Sequence, residues 1–273
     1  MSRVEVSSLG VLLGRFCFGV LRIRRAQVTA AMVRAGIDET HVRGMYEVLG
    51  LHLVELLRLS FSKRFAATIG PRVILSQKDE ALLRTSLETG GIVIAMSHTG
   101  NWDLVACALA KRFPLSVVTK RLSVKWIDRI WQGMRASFSV DLIDAKAGAF
   151  GIARQAVANG RLVAMMIDQA PPTKRNSIRA HWLGAEAWHD RSAALLARST
   201  VRPLVTVAVR RDPLGRQEVH FLGISDPRNN SATLSVGDWI DRATLASADL
   251  LASFVRENPT QWLWLHRRWK DVP

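Results

Sequence analysis

Short apolar runs without polar alternation, separated by helical segments, constrain the fold of this 273-residue chain most strongly. Two of them, at residues 92–96 and 162–167, read IVIAM and LVAMMI. A strand that is apolar at every position is buried on both faces, as in a parallel sheet covered by helices. A sheet with one face in water would alternate apolar and polar residues instead.

The alternation of apolar runs and helical patterns continues to the end of the chain. Strands are predicted at residues 92–96, 115–119, 140–143, 162–167 and 203–209, and residues 218–222 could pair beside the last of these. Helices are predicted at residues 101–112, 124–137, 148–159, 190–200 and 238–257, and residues 169–187 are predicted to be a long basic loop. This order predicts an α/β fold, with a mostly parallel sheet and helices on both faces.

The first 70 residues follow a different pattern. Met45, Leu49, Leu53, Leu56 and Leu57 recur at helical spacing, and a break near residues 36–40 separates two helices. We therefore predict an N-terminal helical, membrane-associating segment at residues 1–70, followed by an α/β domain at residues 71–273.

The apolar run at residues 9–21 is interrupted by Arg15 and followed by Arg22, Arg24 and Arg25. A spanning helix needs about 20 apolar residues, so this run is too short and too charged for a clear membrane span. An interfacial helix, apolar on one side and arginine-rich on the other, fits the pattern. An amphipathic helix packed on the protein core would show the same pattern.

The chain is strongly basic, with 38 Lys and Arg against 23 Asp and Glu and a formal net charge of +15. Such a surface attracts nucleic acid, anionic lipid headgroups or an acidic protein. The basic residues are spread along the chain, and no nucleic-acid-binding motif stands out, so nucleic acid is not an expected partner. Nine Trp beside a single Tyr favour a boundary between membrane and water.

The strongest local pattern is SHTGNWD at residues 97–103, which follows an apolar run and opens a helix. Ligands of open α/β sheets bind beyond the carboxyl ends of strands, so this turn is positioned for a functional site. The chain between His98 and Asp103 can fold back and bring the carboxylate against the imidazole. The carboxylate would then orient the ring as it takes a proton from a hydroxyl. Gly100 allows a tight turn, and Asn101 is a candidate helix N-cap.

This heptad resembles the signature of bacterial lipid A late acyltransferases, whose wider family includes mycobacterial phosphatidylinositol mannoside acyltransferases. Two later blocks resemble the family in the same order, namely the run ending in Asp168-Gln169 and NPTQWLWLHRRWK at residues 258–270. The resemblance implies a glycerolipid acyltransferase-like sheet. It also implies transfer of a fatty acyl group from acyl carrier protein, or from coenzyme A, to a hydroxyl of a membrane lipid, with a lipid A precursor as the expected acceptor.

The resemblance also implies roles for individual side chains. His98 would be the general base and Asp103 its orienting partner. Arg135 would stabilise the oxyanion that develops at the reacting carbonyl, and Asp168 would be a second acidic group at the site. The expected substrate-binding residues are Asn101, Trp102, Gln169, Arg267, Arg268 and Lys270, of which the last three could meet a phosphate.

No metal or redox cofactor is expected, because the acyl thioester is itself the activated co-substrate, and Cys17 and Cys107 have no metal-type spacing. The expected partners are acyl carrier protein, anionic membrane lipids and the lipid acceptor. The expected location is the cytoplasmic face of the bacterial inner membrane, as a peripheral or monotopic protein.

Other functions stay open at this point. A serine hydrolase is disfavoured because the chain has no Gly-x-Ser-x-Gly elbow, and a metal hydrolase would have to recruit His181 and His189 from the long loop. A lipid-binding scaffold without activity would share the fold. Within the enzyme class, the acceptor could also be a lysophospholipid, an ornithine lipid or another glycolipid.

Overall fold

A computed structural model describes residues 7–171, 173–229 and 234–269. Within these residues the helices are α1 (Ser8–Gly19), α2 (Arg25–Arg34), α3 (His41–Phe61), α4 (Lys63–Ala67), α5 (Gln77–Glu88), α6 (Trp102–Ala110), α7 (Lys125–Ser137), α8 (Ala149–Ala158), α9 (Ser192–Thr200) and α10 (Val236–Glu257). The strands are β1 (Val73–Ile74), β2 (Ile92–Met96), β3 (Leu115–Thr119), β4 (Asp141–Asp144), β5 (Leu162–Met166), β6 (Ser177–Trp182), β7 (Ala185–Asp190), β8 (Leu204–Arg211) and β9 (Gln217–Ser225).

Seven strands form one sheet in the order β1-β9-β8-β2-β5-β3-β4. Strand β2 lies parallel to both β5 and β8, and β3 lies parallel to both β4 and β5. Strand β9 is antiparallel to β8, as expected of a strand joined to its neighbour by a short turn. The mostly parallel sheet predicted from the apolar runs is therefore confirmed.

Helices cover both faces of this sheet, as predicted. Ile92, Ile94 and Met96 of β2 enter one core, which they share with residues of α5, α6 and α7. Val93 and Ala95 enter a second core with residues of α8, α9 and α10. Because successive side chains of a strand point to opposite faces, a central strand between two cores has to be apolar throughout.

The N-terminal helices add a third core, which they form with the β6–β7 hairpin and the C-terminal segment. The helical pattern predicted for the N-terminal residues is confirmed from Ser8 onward, and the predicted break separates α2 from α3. Among the described residues, none of the helices combines the length and the apolar content that crossing a membrane requires.

Two glycines let α1 lie directly against α3. A Cβ atom on Gly14 would stand 2.1 Å from the carbonyl oxygen of Tyr46, and one on Gly50 would stand 2.1 Å from the carbonyl oxygen of Gly10. Both distances are far below van der Waals contact, so the two backbones could not approach this closely with larger residues.

We expect Gly14→Ala to loosen α1, because overpacking of this kind typically costs about 1–3 kcal/mol. Amide hydrogen exchange within α1 should then become about tenfold faster or more. Gly19→Ala, at the end of the same helix, is the matched control because its Cβ meets no atom within 4 Å. Equal exchange rates in the two variants would show that the close helix contact does not hold α1 in place.

The long loop predicted at residues 169–187 is only partly a loop, because most of it belongs to the hairpin of β6 and β7. Its strands are short and carry charged residues, which hid the alternation. The turn is made by Leu183 and Gly184, both at positive φ. A Cβ atom on Gly184 would stand 1.9 Å from the carbonyl oxygen of Arg34, so the hairpin tip lies against the end of α2.

The carboxyl edge of the sheet brings together two residues that are far apart in sequence. Strands β2 and β5 are in register, with Met96 opposite Met166. One residue separates the end of β2 from His98, and one residue separates the end of β5 from Asp168. The C-terminal segment closes over the same edge, where the Leu263 backbone N–H donates to the carbonyl of His98 at 3.0 Å.

Candidate active site

His98 lies in the turn after β2 and is held by the buried carboxylate of Asp168. The ring Nδ1 is 2.8 Å from one carboxylate oxygen, and the His98 backbone N–H donates to the other at 3.0 Å. Trp262 Nε1 donates to that second oxygen at 2.7 Å. The Asp168 side chain is inaccessible to solvent, whereas His98 keeps 15% of its side-chain exposure. This geometry places the proton on Nδ1 and leaves Nε2 as the basic atom.

Asp168 stays ionised in spite of its burial. Burial alone would raise the pKa of this carboxyl group, but the imidazole groups of His98 and His266 and the backbone N–H of His98 together hold the pKa well below its usual range. Asp168 therefore presents a fixed negative charge to His98 across the neutral pH range.

Asp103 does not contact His98 as the sequence predicted. Its carboxylate instead accepts from Arg135 Nε at 2.7 Å and from Trp131 Nε1 at 3.0 Å, and it forms an ion pair with Arg135 Nη2 at 2.6 Å. Adjacent residues of a helix point about 100° apart. Because Trp102 packs its ring on His98, with centroids 4.8 Å apart, the next residue of α6 faces away from His98 and toward α7.

Arg135 is also oriented differently from the prediction that places it at a reacting carbonyl. Its guanidinium is buried, pairs with Asp103, donates to Thr119 Oγ1 at 3.0 Å and lies over the Trp131 ring. Burial raises the pKa of Asp103, but the charge of Arg135, the nearby His52 ring and the hydrogen bond from Trp131 lower it to about 2. The two groups form a buried ion pair behind the motif turn.

His52 of α3 is a site residue that the sequence analysis missed. Its ring meets the other side of Trp102, with centroids 4.2 Å apart, so Trp102 separates His52 from His98. A groove runs between α3 and the C-terminal segment past both histidines. It is lined by Met45, Val48, Leu49, His52, His98, Gly100, Trp102, Thr260, Gln261, Trp262 and Leu263. Nothing in the sequence spacing marked His52, since its contact with the motif depends on how α3 packs.

Gln169 and His266 both contact His98. The Gln169 side-chain nitrogen is 3.2 Å from His98 Nε2 and 2.8 Å from His266 Nε2. Burial, together with the charges of His98 and Arg24, lowers the pKa of His266 to about 4 against the opposing effect of Asp168. His266 is therefore a neutral ring at pH 7. The sequence analysis missed His266, because in the C-terminal block it selected only Arg267, Arg268 and Lys270.

Asn101 shapes the motif turn from inside the protein. Its Oδ1 accepts from the backbone N–H of Leu104 at 3.0 Å, which confirms the predicted N-cap. Its Nδ2 donates to the buried carboxylate of Glu55 at 2.6 Å, and Glu55 in turn pairs with Arg211. Gly100 adopts φ +55, which confirms the predicted tight turn. Asn101 is fully buried, so its side chain supports the turn rather than facing the groove.

Arg268 is buried, so a lipid phosphate in solvent cannot reach its guanidinium in this structure. It keeps 1% of its exposure, donates to the carbonyl of Trp188 and lies over the Trp182 ring, 5.0 Å from its centroid. Burial lowers the pKa of Arg268 to about 10, so the group is still a cation at pH 7. Its contacts join the C-terminal segment to the β6–β7 hairpin.

The other parts of the C-terminal block differ in position. Arg267 is exposed, and phosphate binding by this residue stays a prediction. Lys270 lies outside the described residues. Trp262 and Trp264 are both about fully buried and pack against each other with centroids 4.6 Å apart, so these two rings serve packing rather than a membrane boundary.

The two histidines of the hairpin do not come together. His181 is exposed on β6, whereas His189 is buried on β7 beside Arg268. Burial and the Arg268 charge lower the pKa of His189 to about 3. In the part of the chain that the structure describes, no three His, Cys, Asp or Glu side chains converge in a way that suits a metal ion.

The arrangement as a whole is an ionised carboxylate, an oriented imidazole with a basic nitrogen, and a small groove at the carboxyl edge of the sheet. No curated protein matches the chain significantly. The resemblance seen in the three sequence blocks is confirmed over a much longer range, because the family model "Bacterial lipid A biosynthesis acyltransferase" matches residues 7–271. The chain therefore belongs to the bacterial lipid A biosynthesis acyltransferase family.

Proposed function

We propose that the chain transfers a fatty acyl group from an acyl carrier protein thioester, or from coenzyme A, to a hydroxyl of a membrane lipid. The first acceptor to test is a lipid A precursor. The observation that carries the proposal is the contact between the buried Asp168 carboxylate and His98, at the groove of a chain that belongs to an acyltransferase family.

The mechanism begins with the tautomer of His98. Because His98 Nδ1 donates its hydrogen bond to Asp168, the lone pair on Nε2 can take the proton of the acceptor hydroxyl. The oxygen then attacks the thioester carbonyl, and Asp168 stabilises the imidazolium that has formed. The reaction needs no metal or redox cofactor, because the thioester is already activated and the thiolate leaves without further activation.

The basic surface supports the proposed partners. Acyl carrier protein, anionic phospholipids and phosphorylated lipid A precursors are all acidic, and a chain of net charge +15 attracts each of them. Exposed arginines at positions 22, 24 and 25 alternate with exposed Val20, Leu21 and Ile23. Apolar and cationic side chains in one exposed stretch are the combination that an anionic membrane surface favours.

An apolar row on α3 connects the groove to the protein surface. Met45 and Leu49 line the groove, while Leu53, Leu57 and Phe61 continue the same row at intervals of four residues and are exposed. On α1, Leu9, Leu12 and Phe16 form a second exposed apolar face. We propose that these faces rest on the cytoplasmic leaflet of the inner membrane, as a peripheral or monotopic attachment, and that the row on α3 guides acyl chains toward His98.

We expect the double substitution Phe16→Ser and Phe61→Ser to weaken binding to anionic vesicles by about tenfold or more, since full burial of one such side chain is worth about 1.5–3 kcal/mol. Sedimentation with vesicles of phosphatidylglycerol and phosphatidylethanolamine measures this. Ile224→Ser, at an exposed apolar residue on β9, is the matched control and should bind as the wild type does. Equal binding by all three proteins would rule out these faces as the attachment site.

Transfer of radiolabelled acyl groups tests the proposed activity directly. Acyl carrier protein and coenzyme A thioesters are supplied separately, each with a lipid A precursor, a lysophospholipid, an ornithine lipid precursor or a total bacterial lipid extract. A labelled ester product supports the proposal, and the most active pair identifies donor and acceptor. Folded wild-type protein that labels no lipid with either donor would contradict the proposal and favour a lipid-binding scaffold.

A further inference from the structure

The proposed reaction places a negative charge on the carbonyl oxygen of the thioester, and the protein has to stabilise it. Arg135, predicted for this role, is occupied by Asp103 and Thr119. Three backbone donors around the motif turn are occupied as well. The N–H of His98 donates to Asp168, that of Gly100 to the carbonyl of Gln261, and that of Leu263 to the carbonyl of His98 itself. We therefore consider the side-chain donors beside His98.

The side-chain amide of Gln169 lies where such a donor is required. Its nitrogen is 3.4 Å from His98 Nδ1 and 3.2 Å from Nε2. Because the two distances are nearly equal, the amide stands beside the ring and not on the lone-pair axis of Nε2. A hydroxyl can therefore approach Nε2 along its lone-pair axis without meeting the amide. The carbonyl oxygen of the thioester that it attacks would then lie near the amide.

The orientation of this amide is set by His266. The amide stands off the lone-pair axis of His98 Nε2, so the His98 ring does not determine which amide atom points toward it. On the other side, Gln169 Nε2 is 2.8 Å from His266 Nε2. At this distance the amide nitrogen donates a hydrogen bond to His266 Nε2, which a neutral ring with its proton on Nδ1 accepts, whereas the amide oxygen would be repelled by the same lone pair. The amide nitrogen therefore faces the reaction centre.

His266 is itself held in place from the N-terminal helices. Arg24 donates to the carbonyl of Leu265 at 2.7 Å, and Gln27 donates to the carbonyl of His266 at 3.3 Å. The His266 ring also packs edge-on against His98, with centroids 5.0 Å apart. These contacts fix the His266 ring beside Gln169 before substrate binds, which is the condition for a donor that needs no reorganisation during the reaction.

We propose that Gln169 is a catalytic residue whose amide N–H stabilises the oxyanion of the tetrahedral intermediate, and that His266 is the positioning residue that orients this amide. The inference rests on the proposed function.

The acceptor O–H bond breaks and its proton moves to His98 Nε2 while the oxygen bonds to the thioester carbon. The carbonyl π pair moves onto the carbonyl oxygen, which Gln169 stabilises. When the carbonyl re-forms, the C–S bond breaks, the electron pair leaves on sulfur, and the proton on His98 neutralises the thiolate. The products are an ester and a thiol.

Gln169→Leu keeps the size of the side chain and removes its N–H groups. We expect kcat to fall about 100- to 1,000-fold, as for loss of one oxyanion donor, with the KM of both substrates changed little. Gln155→Leu, at an exposed glutamine on α8, is the matched control and should keep wild-type kcat. His266→Phe should lower kcat less than Gln169→Leu, and the double variant should match Gln169→Leu alone, because His266 acts only through the amide.

A second measurement reads the carbonyl without turnover. In a His98→Ala background, a dodecanoyl thioester of acyl carrier protein with a ¹³C carbonyl should show a lower C=O stretching frequency when bound than when free. Adding Gln169→Leu should remove that shift. If Gln169→Leu changes KM but neither kcat nor the carbonyl frequency, Gln169 only binds substrate and the inference is wrong. If wild-type protein neither transfers nor binds the thioester, the proposed function fails, and the inference fails with it.

Discussion

His98→Ala should lower the rate of acyl transfer by about a thousandfold or more while the protein stays folded. Proton transfer by a positioned side chain contributes about 10²–10⁴ to the rate, and in the proposed mechanism the same ring also delivers the proton to the leaving thiolate. The His98 side chain is partly exposed at the groove, and its Nδ1 bond to Asp168 is the main polar contact it contributes. Its loss therefore removes a base without opening the core.

Initial rates of ester formation, measured with the best donor and acceptor of the transfer assay, check this expectation, and thermal unfolding confirms the fold. His220→Ala is the matched control, because His220 lies on β9, contacts Glu218 and Phe254, and does not line the groove. An active His98→Ala variant would show that another group takes the hydroxyl proton, and the proposed mechanism would have to be abandoned.

The fold could be predicted from the sequence because it depends on local patterns. A run such as residues 92–96, apolar at every position, is compatible with few environments other than the centre of a covered sheet. Helix α5 was missed for the opposite reason. It buries only Leu83 among its residues and its mean hydropathy is low, so its clearest signal was the N-cap Ser76, which accepts from the backbone N–H of Asp79.

The partner of His98 could not be predicted in the same way. His98 and Asp168 are 70 residues apart in sequence and meet only because β5 lies beside β2 in the sheet. The strand order that makes them neighbours skips both β3 and β4, and the apolar runs carry no information about that order. Asp103, five residues from His98, was the apparent partner because the sequence shows proximity along the chain and not the direction of a helix face.

The environments of the arginines could not be predicted for the same reason. Arg135 and Arg268 are buried, each with a specific partner on a distant element, whereas Arg267, next to Arg268 in sequence, is exposed. An arginine is stable inside a protein when its guanidinium finds a carboxylate, a carbonyl or an aromatic face. Those partners become visible only after the chain is folded, so the sequence alone placed Arg135 at the reacting carbonyl and Arg267 and Arg268 beside a phosphate.

Asp168→Asn should mainly lower the rate of transfer, whereas Asp103→Asn should mainly lower the stability of the protein. Asp168→Asn should lower the rate of transfer by about 10³–10⁴, because an amide no longer enforces the Nδ1 tautomer or stabilises the imidazolium, while the shape of the site is kept. Asp103→Asn leaves the Arg135 cation buried without a counter-charge, so its main effect should be a loss of about 3–5 kcal/mol in the free energy of unfolding. The two readouts are the rate per folded molecule and urea denaturation.

The comparison decides between two assignments of the carboxylate that acts on His98. The spacing of the motif assigns Asp103, whereas the contacts assign Asp168, which lies 2.8 Å from His98 Nδ1. Asp212→Asn is the matched control, since Asp212 is also buried and paired with an arginine, Arg216, but does not line the groove. It should lose some stability and keep its rate per folded molecule. If Asp103→Asn is inactive yet as stable as the wild type, while Asp168→Asn keeps its rate, then Asp103 reaches His98 when substrate binds, and the ion pair with Arg135 must open during each turnover.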